Sequence, residues 1–262
     1  MITPQPKKQI DKFIEEIEKA KTKEELENIL KRMETFTKIY PYEENLIVLA
    51  YLYGLLKRYN EALEILKPLK SYKAKYLEAE ILQIIKNYEK AYKLFSELEK
   101  IAPNEEEKMK IIINRLEILM AKGELEKARE IYENYGEKLL LFANKIGKFK
   151  YVRYISNQLE KYKKGLDLLN KDRELHQIKN ELEELAYKYF KNFKIYPVVL
   201  SYYDGDDENL TFYIVLSEKV DKEIGKKFML EMAKEIDFKH PDKEFYVSIK
   251  YPKKREGLLV HT

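Results

Sequence analysis

The 262-residue chain contains no cysteine and no tryptophan, only eight glycines, eight prolines and three histidines. Without cysteine there are no disulfides and no thiolate metal sites. Three scattered histidines, His176, His240 and His261, cannot be assembled with a cysteine or serine into a nucleophile–base set, so each is read as a surface or capping side chain. No apolar run approaches the roughly 18 residues of a membrane span. The opening MITPQPKKQIDKF has no apolar signal-peptide core, so the chain is expected in the cytoplasm. Charge of one sign is also lacking: 50 basic against 46 acidic residues leave +4, too even to imply a nucleic-acid partner by itself.

What is abundant is apolar (45%) and charged (37%) sequence, the balance of a globular chain long enough for one or two cores. The many Lys and Glu, with little Gly and no Cys, resemble thermophile composition.

The apolar residues fall mostly at helical spacing. Ile10, Phe13, Ile14 and Ile17 form one face after a short tail over 1–8. Thr22 and Glu25 have capping-box spacing and open a helix carrying Leu26, Ile29, Leu30, Met33 and Phe36, stopped at Pro41. Residues 46–69 read as two helices joined by a tight turn at Lys57–Asn60. An aromatic followed three residues later by alanine then recurs: Tyr59 and Ala62, Tyr88 and Ala91. Leu125 and Ala128 follow a filled glycine slot at Gly123. Lys57 and Lys86 stand where the other two turns would carry that glycine. A fourth copy is read at Tyr162, Gly165 and Leu169, and a degenerate first copy at Leu26, Ile29 and Met33.

Over about residues 10–172 this pattern resembles the tetratricopeptide repeat family, whose period is about 34 residues. The resemblance implies an α-solenoid of stacked helix pairs, with the small residue placed where two helices cross closest. It also implies a protein or peptide partner in the concave groove lined by the first helix of each pair. Carried across, those groove positions are Tyr51, Tyr76, Glu80, Gln83, Ile113, Glu117, Lys150, Tyr154 and Asn157. Self-association is compatible with the same surface.

Composition shifts after Lys194. A helix over 175–191 is followed by strands at 195–203 and 210–217, a helix over 220–236 with Val220, Ile224, Phe228, Met232 and Ile236 inward, and a strand at 245–251. Pro197 places the first strand at an edge. The expected organisation is a helical repeat domain over 1–174 and an α-β-β-α-β two-layer domain over 175–262, ending in a tail with Lys253, Lys254 and Arg255. The α-β-β-α-β order also occurs in cytoplasmic domains of cation-diffusion transporters, but the three histidines offer no matching ligand set.

No motif here carries catalysis, a metal or a cofactor. Asp204, Asp206, Asp207 and Glu208 lack the EF-hand spacing and read as a solvated turn. The strand at 210–217 bears no carboxylates of the nucleotidyltransferase kind. Gly225–Lys226 lacks the earlier glycine of a phosphate-binding P-loop and the later glycine of a KH-type loop. One stretch departs from charge balance: Lys145, Lys148, Lys150, Arg153, Lys161, Lys163, Lys164, Lys171 and Arg173 meet only Glu160, Asp167 and Asp172. Phe149, Tyr151, Tyr154 and Tyr162 are interleaved. The expected function is a non-catalytic scaffold or adaptor, with RNA or polyanion binding through 144–173 as the alternative.

Overall fold

Four short turns set the architecture. Lys57, Lys86, Gly123 and Gly147 have φ of 60°, 62°, 71° and 72°, and among the described residues they alone lie in the left-handed region. At each, the next residue's N–H donates to a carbonyl five residues back: Arg58 to Tyr53 (2.9 Å), Asn87 to Leu82 (2.8 Å), Glu124 to Leu119 (2.9 Å) and Lys148 to Ala143 (2.7 Å). This is a Schellman closure, which satisfies orphan carbonyls at a helix end and reverses the chain. The next helix begins two residues after the turn residue every time, at Tyr59, Tyr88, Leu125 and Phe149. Two lysines thus hold the backbone conformation that glycine holds in the other two turns.

A computed structural model describes residues 6–193, 195, 199–203, 209–216 and 219–250. It is mostly helical, and it divides into two compact units at Asn104/Glu105. In the first unit, α1 (Pro6–Lys19), α2 (Lys23–Ile39), α3 (Glu43–Leu55), α4 (Tyr59–Leu66), α5 (Tyr72–Ile84) and α6 (Tyr88–Lys100) each pack on the next. In addition α1 touches α3, and α3 touches α5, so the odd-numbered helices neighbour one another. Proline is compatible with the first turn of a helix, where the missing N–H is not needed, and α1 starts at Pro6 instead of after a tail reaching residue 8. The capping box at Thr22 and Glu25 forms in both directions. The core of this unit runs from Phe13 and Met33 through Leu52 and Leu66 to Ala74 and Ile81. Ala62 and Ala91 are fully buried.

The second unit begins with α7 (Glu105–Lys122), α8 (Leu125–Lys145), α9 (Phe149–Lys171) and α10 (Arg173–Phe190). Then come β1 (Val199–Tyr203), β2 (Asn209–Val215), α11 (Lys222–Met232) with a π-type turn over Ala233–Asp237, and β3 (Phe245–Lys250). The sheet order is β1-β2-β3, with β1 antiparallel and β3 parallel to the central β2. Leu210, Phe212 and Ile214 of β2 are buried, and Phe245, Val247 and Ile249 of β3 pack against the same core. These alternate residues are the inward face of both strands.

Two expectations are corrected here. The fourth repeat copy at Tyr162, Gly165 and Leu169 lies inside one uninterrupted helix of 23 residues, and the chain reversal occurs earlier, at Gly147. The buried position three residues into that helix is Val152, matching Ala62, Ala91 and Ala128. The boundary expected at 174/175 falls within the second unit. Leu169 is buried in one cluster with Leu175, Ile178, Phe190 and the sheet, and Tyr162, Leu166 and Leu168 pack on it, because α9 lies against β1. Pro197, Asp204–Glu208, Ser217, Tyr251, the Lys253–Arg255 cluster and His261 lie outside the described residues.

Candidate interaction surfaces

The groove positions expected from the repeat pattern fare unequally. In α5, residues 79–84 are buried without a break, so the helix has no open side there. Glu80 (5% exposed) and Gln83 (4%) are enclosed as a result. Ile113 (2%) is enclosed for the same reason, within the buried run Ile111, Ile112, Ile113, Asn114 of α7. Tyr76 is half-buried, with its ring edge-on to Phe95 of α6 at 5.8 Å, which makes it hairpin packing and not a groove anchor. Glu117 is half-buried, while Lys150, Tyr154 and Asn157 are exposed on α9.

Tyr51 remains half-open. It belongs to one face of α3 with Glu44, Ile47, Val48 and Leu55, spaced at helical intervals. Glu44 is exposed, and the four others are half-buried and rest on the core from one side. Burial raises the Tyr51 phenol above its ordinary value, and the carboxylates of Glu80 on α5 and Glu18 on α1 raise it further. The α1–α3–α5 neighbourhood therefore offers a half-open apolar row with negative charge beside it. Glu18 was not among the sequence candidates, since its proximity to Tyr51 follows from helix stacking alone.

The basic stretch is likewise redistributed. Lys145 sits at the end of α8 and pairs with Glu106 of α7. Lys148 is half-buried in the turn. Lys163 is exposed but lies on another side of α9 by helical register. What stays together is a stripe at i, i+3, i+4, i+7, i+11 and i+14: Lys150, Arg153, Tyr154, Asn157, Lys161 and Lys164. It lies opposite Val152, Ile155, Leu159 and Leu166, which α9 turns inward. Three residues read as groove positions, Lys150, Tyr154 and Asn157, thus belong to the same stripe as the basic residues.

An open groove of about 410 Å³ is lined by Glu105, Glu106, Met109, Lys138, Leu141 and Phe142 at the start of α7 and the end of α8. Its charges are matched: Lys138 pairs with Glu105, and Lys145 with Glu106.

His240 departs from the surface or capping role read from the sequence. It is 6% exposed, with Nδ1 3.0 Å from Glu174 Oε1 and Nε2 3.5 Å from Glu181 Oε2. Lys243 donates to Asp172 Oδ2 at 2.6 Å and lies 3.6 Å from Glu174. Asp172 also caps α10, its Oδ1 accepting from the N–H groups of Glu174 (3.0 Å) and Leu175 (3.2 Å). The Lys243 ammonium, assisted by these N–H groups, holds the Asp172 carboxyl below the usual carboxylate range. The network ties the segment before β3 to α10. An aspartate two and three residues ahead of exposed-helix N–H groups is a sequence signal for the cap, but nothing local signals the histidine.

Among the described residues no group of three or more His, Asp or Glu side chains is placed to hold a metal ion. No helix among them is long and apolar enough to cross a membrane. Comparison with protein-family models, with curated proteins and with solved structures returns no match.

Proposed function

We propose that the chain is a non-catalytic scaffold whose first unit is a tetratricopeptide-like stack that receives a partner's peptide segment on the α3 face. The observation that carries this reading is Tyr51, half-open in an apolar row, with exposed Glu44 on the same face and exposed Glu18 close enough to raise its phenol. Stacking of α1, α3 and α5 and the repeated left-handed turns support the repeat architecture. An aromatic set in an apolar row with polar flanks is the usual composition of a peptide groove. The acidic flanks favour a segment that pairs an apolar side chain with Lys or Arg.

Selection from a displayed random-peptide library tests this directly. Enriched peptides should carry Lys or Arg next to an aliphatic or aromatic residue. Tyr51→Ala and the exposed-site variant Glu18→Lys should each weaken them by about tenfold, the scale of an anchor residue. Acidic winners, or peptides indifferent to both substitutions, would refute the proposed groove.

A further inference from the structure

A segment with the chemistry that suits the α3 face occurs in this chain itself. Beyond β3, outside the described residues, the sequence continues as YPKKREGLLVHT over 251–262. It carries three consecutive cations, Lys253, Lys254 and Arg255. Past Glu256 and Gly257 come three consecutive aliphatics, Leu258, Leu259 and Val260. The other longer stretches outside the description lack that pairing: 1–5 has no charged side chain, and 204–208 is acidic. On α3, exposed Glu44 shares one face with half-buried Ile47, Val48, Tyr51 and Leu55, and exposed Glu18 of α1 lies near Tyr51. Cations and aliphatics of the segment thus complement carboxylates and apolar row of the groove. Resting on the reading of the α3 face as a peptide groove, we infer that residues 253–260 of the same chain are its resident ligand, which an external segment must displace.

The spacing agrees with the charge. Along α3, Glu44 stands about 10 Å from Tyr51 and about 16 Å from Leu55, at 1.5 Å per residue. In an extended segment Lys254, Leu258 and Val260 point to one side, and Lys254 stands about 13 Å from Leu258 at 3.3 Å per residue. Lys254 at Glu44 therefore sets Leu258 between Tyr51 and Leu55. Attachment to the same chain strengthens the contact further. It replaces a free concentration by a local one of about 1 mM for a short flexible linker. At that concentration a segment with a free Kd of about 100 µM fills the groove about nine-tenths of the time and weakens an external competitor about tenfold.

Fluorescence anisotropy of a labelled synthetic peptide YPKKREGLLVHT, titrated with the 262-residue chain, tests the inference. The parent should bind it weakly, because its own copy competes. Leu258→Asp with Leu259→Asp disables the resident copy, and that chain should bind the peptide about tenfold more tightly. Adding Tyr51→Ala should then weaken it by about tenfold again. Lys254→Glu releases the resident copy by charge instead, and it should also tighten peptide binding. Adding Glu44→Lys to the Lys254→Glu chain restores the resident pair and repels the peptide, so affinity should return to the parent level or below. Helical circular dichroism should match the parent throughout. Equal affinity of the parent and both released chains would overturn the inference, and where that common binding still needs Tyr51 the groove itself stands. Binding to none of them, or tighter binding that ignores Tyr51, would overturn it too, and the random-peptide selection then decides the groove separately. So would a parent that sediments as a dimer and released chains that sediment as monomers, since the segment then fills a neighbouring copy's groove.

Discussion

Replacing Lys57 by glycine should stabilise this protein, although the change deletes a side chain and loosens the unfolded state. Lys57 is exposed at φ 60°, where a Cβ crowds the following carbonyl at a cost of about 1–2 kcal/mol. Glycine removes that crowding but gains freedom in the unfolded chain, a loss of about 0.4–1 kcal/mol. The balance is a net gain of about 0.5–1 kcal/mol. The mirror experiment is Gly147→Ala. Gly147 has φ 72°, and a Cβ built there meets no atom within 4 Å, so the whole effect is backbone strain set against unfolded-state entropy. That substitution should cost about as much as Lys57→Gly gains. Both turns carry the same closure, Arg58 N–H to Tyr53 O and Lys148 N–H to Ala143 O, so the hydrogen bonding is a constant. Urea unfolding at matched m-values reads both changes as midpoint shifts of opposite direction. If Lys57→Gly lowers the midpoint, or Gly147→Ala leaves it unmoved, the turns are not the strained sites described, and the account of how the helices are joined fails with them.

Three further outcomes follow from particular residues. Tyr88→Ala should cost about 3–5 kcal/mol because the ring is buried, whereas Tyr154→Ala should stay within about 0.5 kcal/mol; Tyr76→Ala should cost at least about 1 kcal/mol through its lost contact with Phe95, and thermal melts of the three rank them. The Tyr53 phenol is pushed up to about 12 by burial and by its 2.5 Å hydrogen bond to Glu34. Its folded value is raised, so its contribution to stability is full below the ordinary tyrosine value and is lost as pH climbs from about 10 towards 12. Tyr53→Phe should remove a step near pH 12 from an ultraviolet phenolate titration, and an unchanged titration would count against the Glu34 contact. Asp172→Ala should cost about 1 kcal/mol for the cap alone. The Asp172 value is depressed, so its share of stability is present above the ordinary carboxylate range and is lost as pH falls through the lowered value; acid unfolding of Asp172→Asn should lack that component.

The helix pairs were legible because their signals are local. The Thr22–Glu25 capping box, the alanine three residues after Tyr59 and Tyr88, and the alternation in β3 each act within one turn or one strand. The strand order was less so, because the parallel pairing of β2 with β3 depends on α11 crossing between them. Burial of Glu80, Gln83 and Ile113 was hidden from any one-helix pattern. Glutamate and glutamine look like open-face residues until neighbours close on all sides of α5, as they do from Ala79 to Ile84. The basic stretch was visible as composition. Lys145 falls on α8, paired with Glu106, and only the helical register of α9 separates Lys163, on another side, from the four cations that share a face.

The misplaced domain boundary and the misplaced fourth repeat have one cause, the length of α9. The helices α4, α5 and α6 have 8, 13 and 13 residues, whereas α7, α8 and α9 have 18, 21 and 23. With 23 residues, α9 packs on α8, buries Val152, Ile155 and Leu159 in its first half, and has about three turns left over. Those turns carry Tyr162, Leu166 and Leu169, the same aromatic and aliphatic types that a repeat would use, and they serve the core of the sheet instead. An aromatic–glycine–leucine pattern cannot distinguish the two uses, since a side chain's spacing fixes its helix face and not what covers that face. The left-handed residue does distinguish them. A new hairpin needs a reversal ahead of it, and Gly147 supplies one while nothing between Phe149 and Lys171 does.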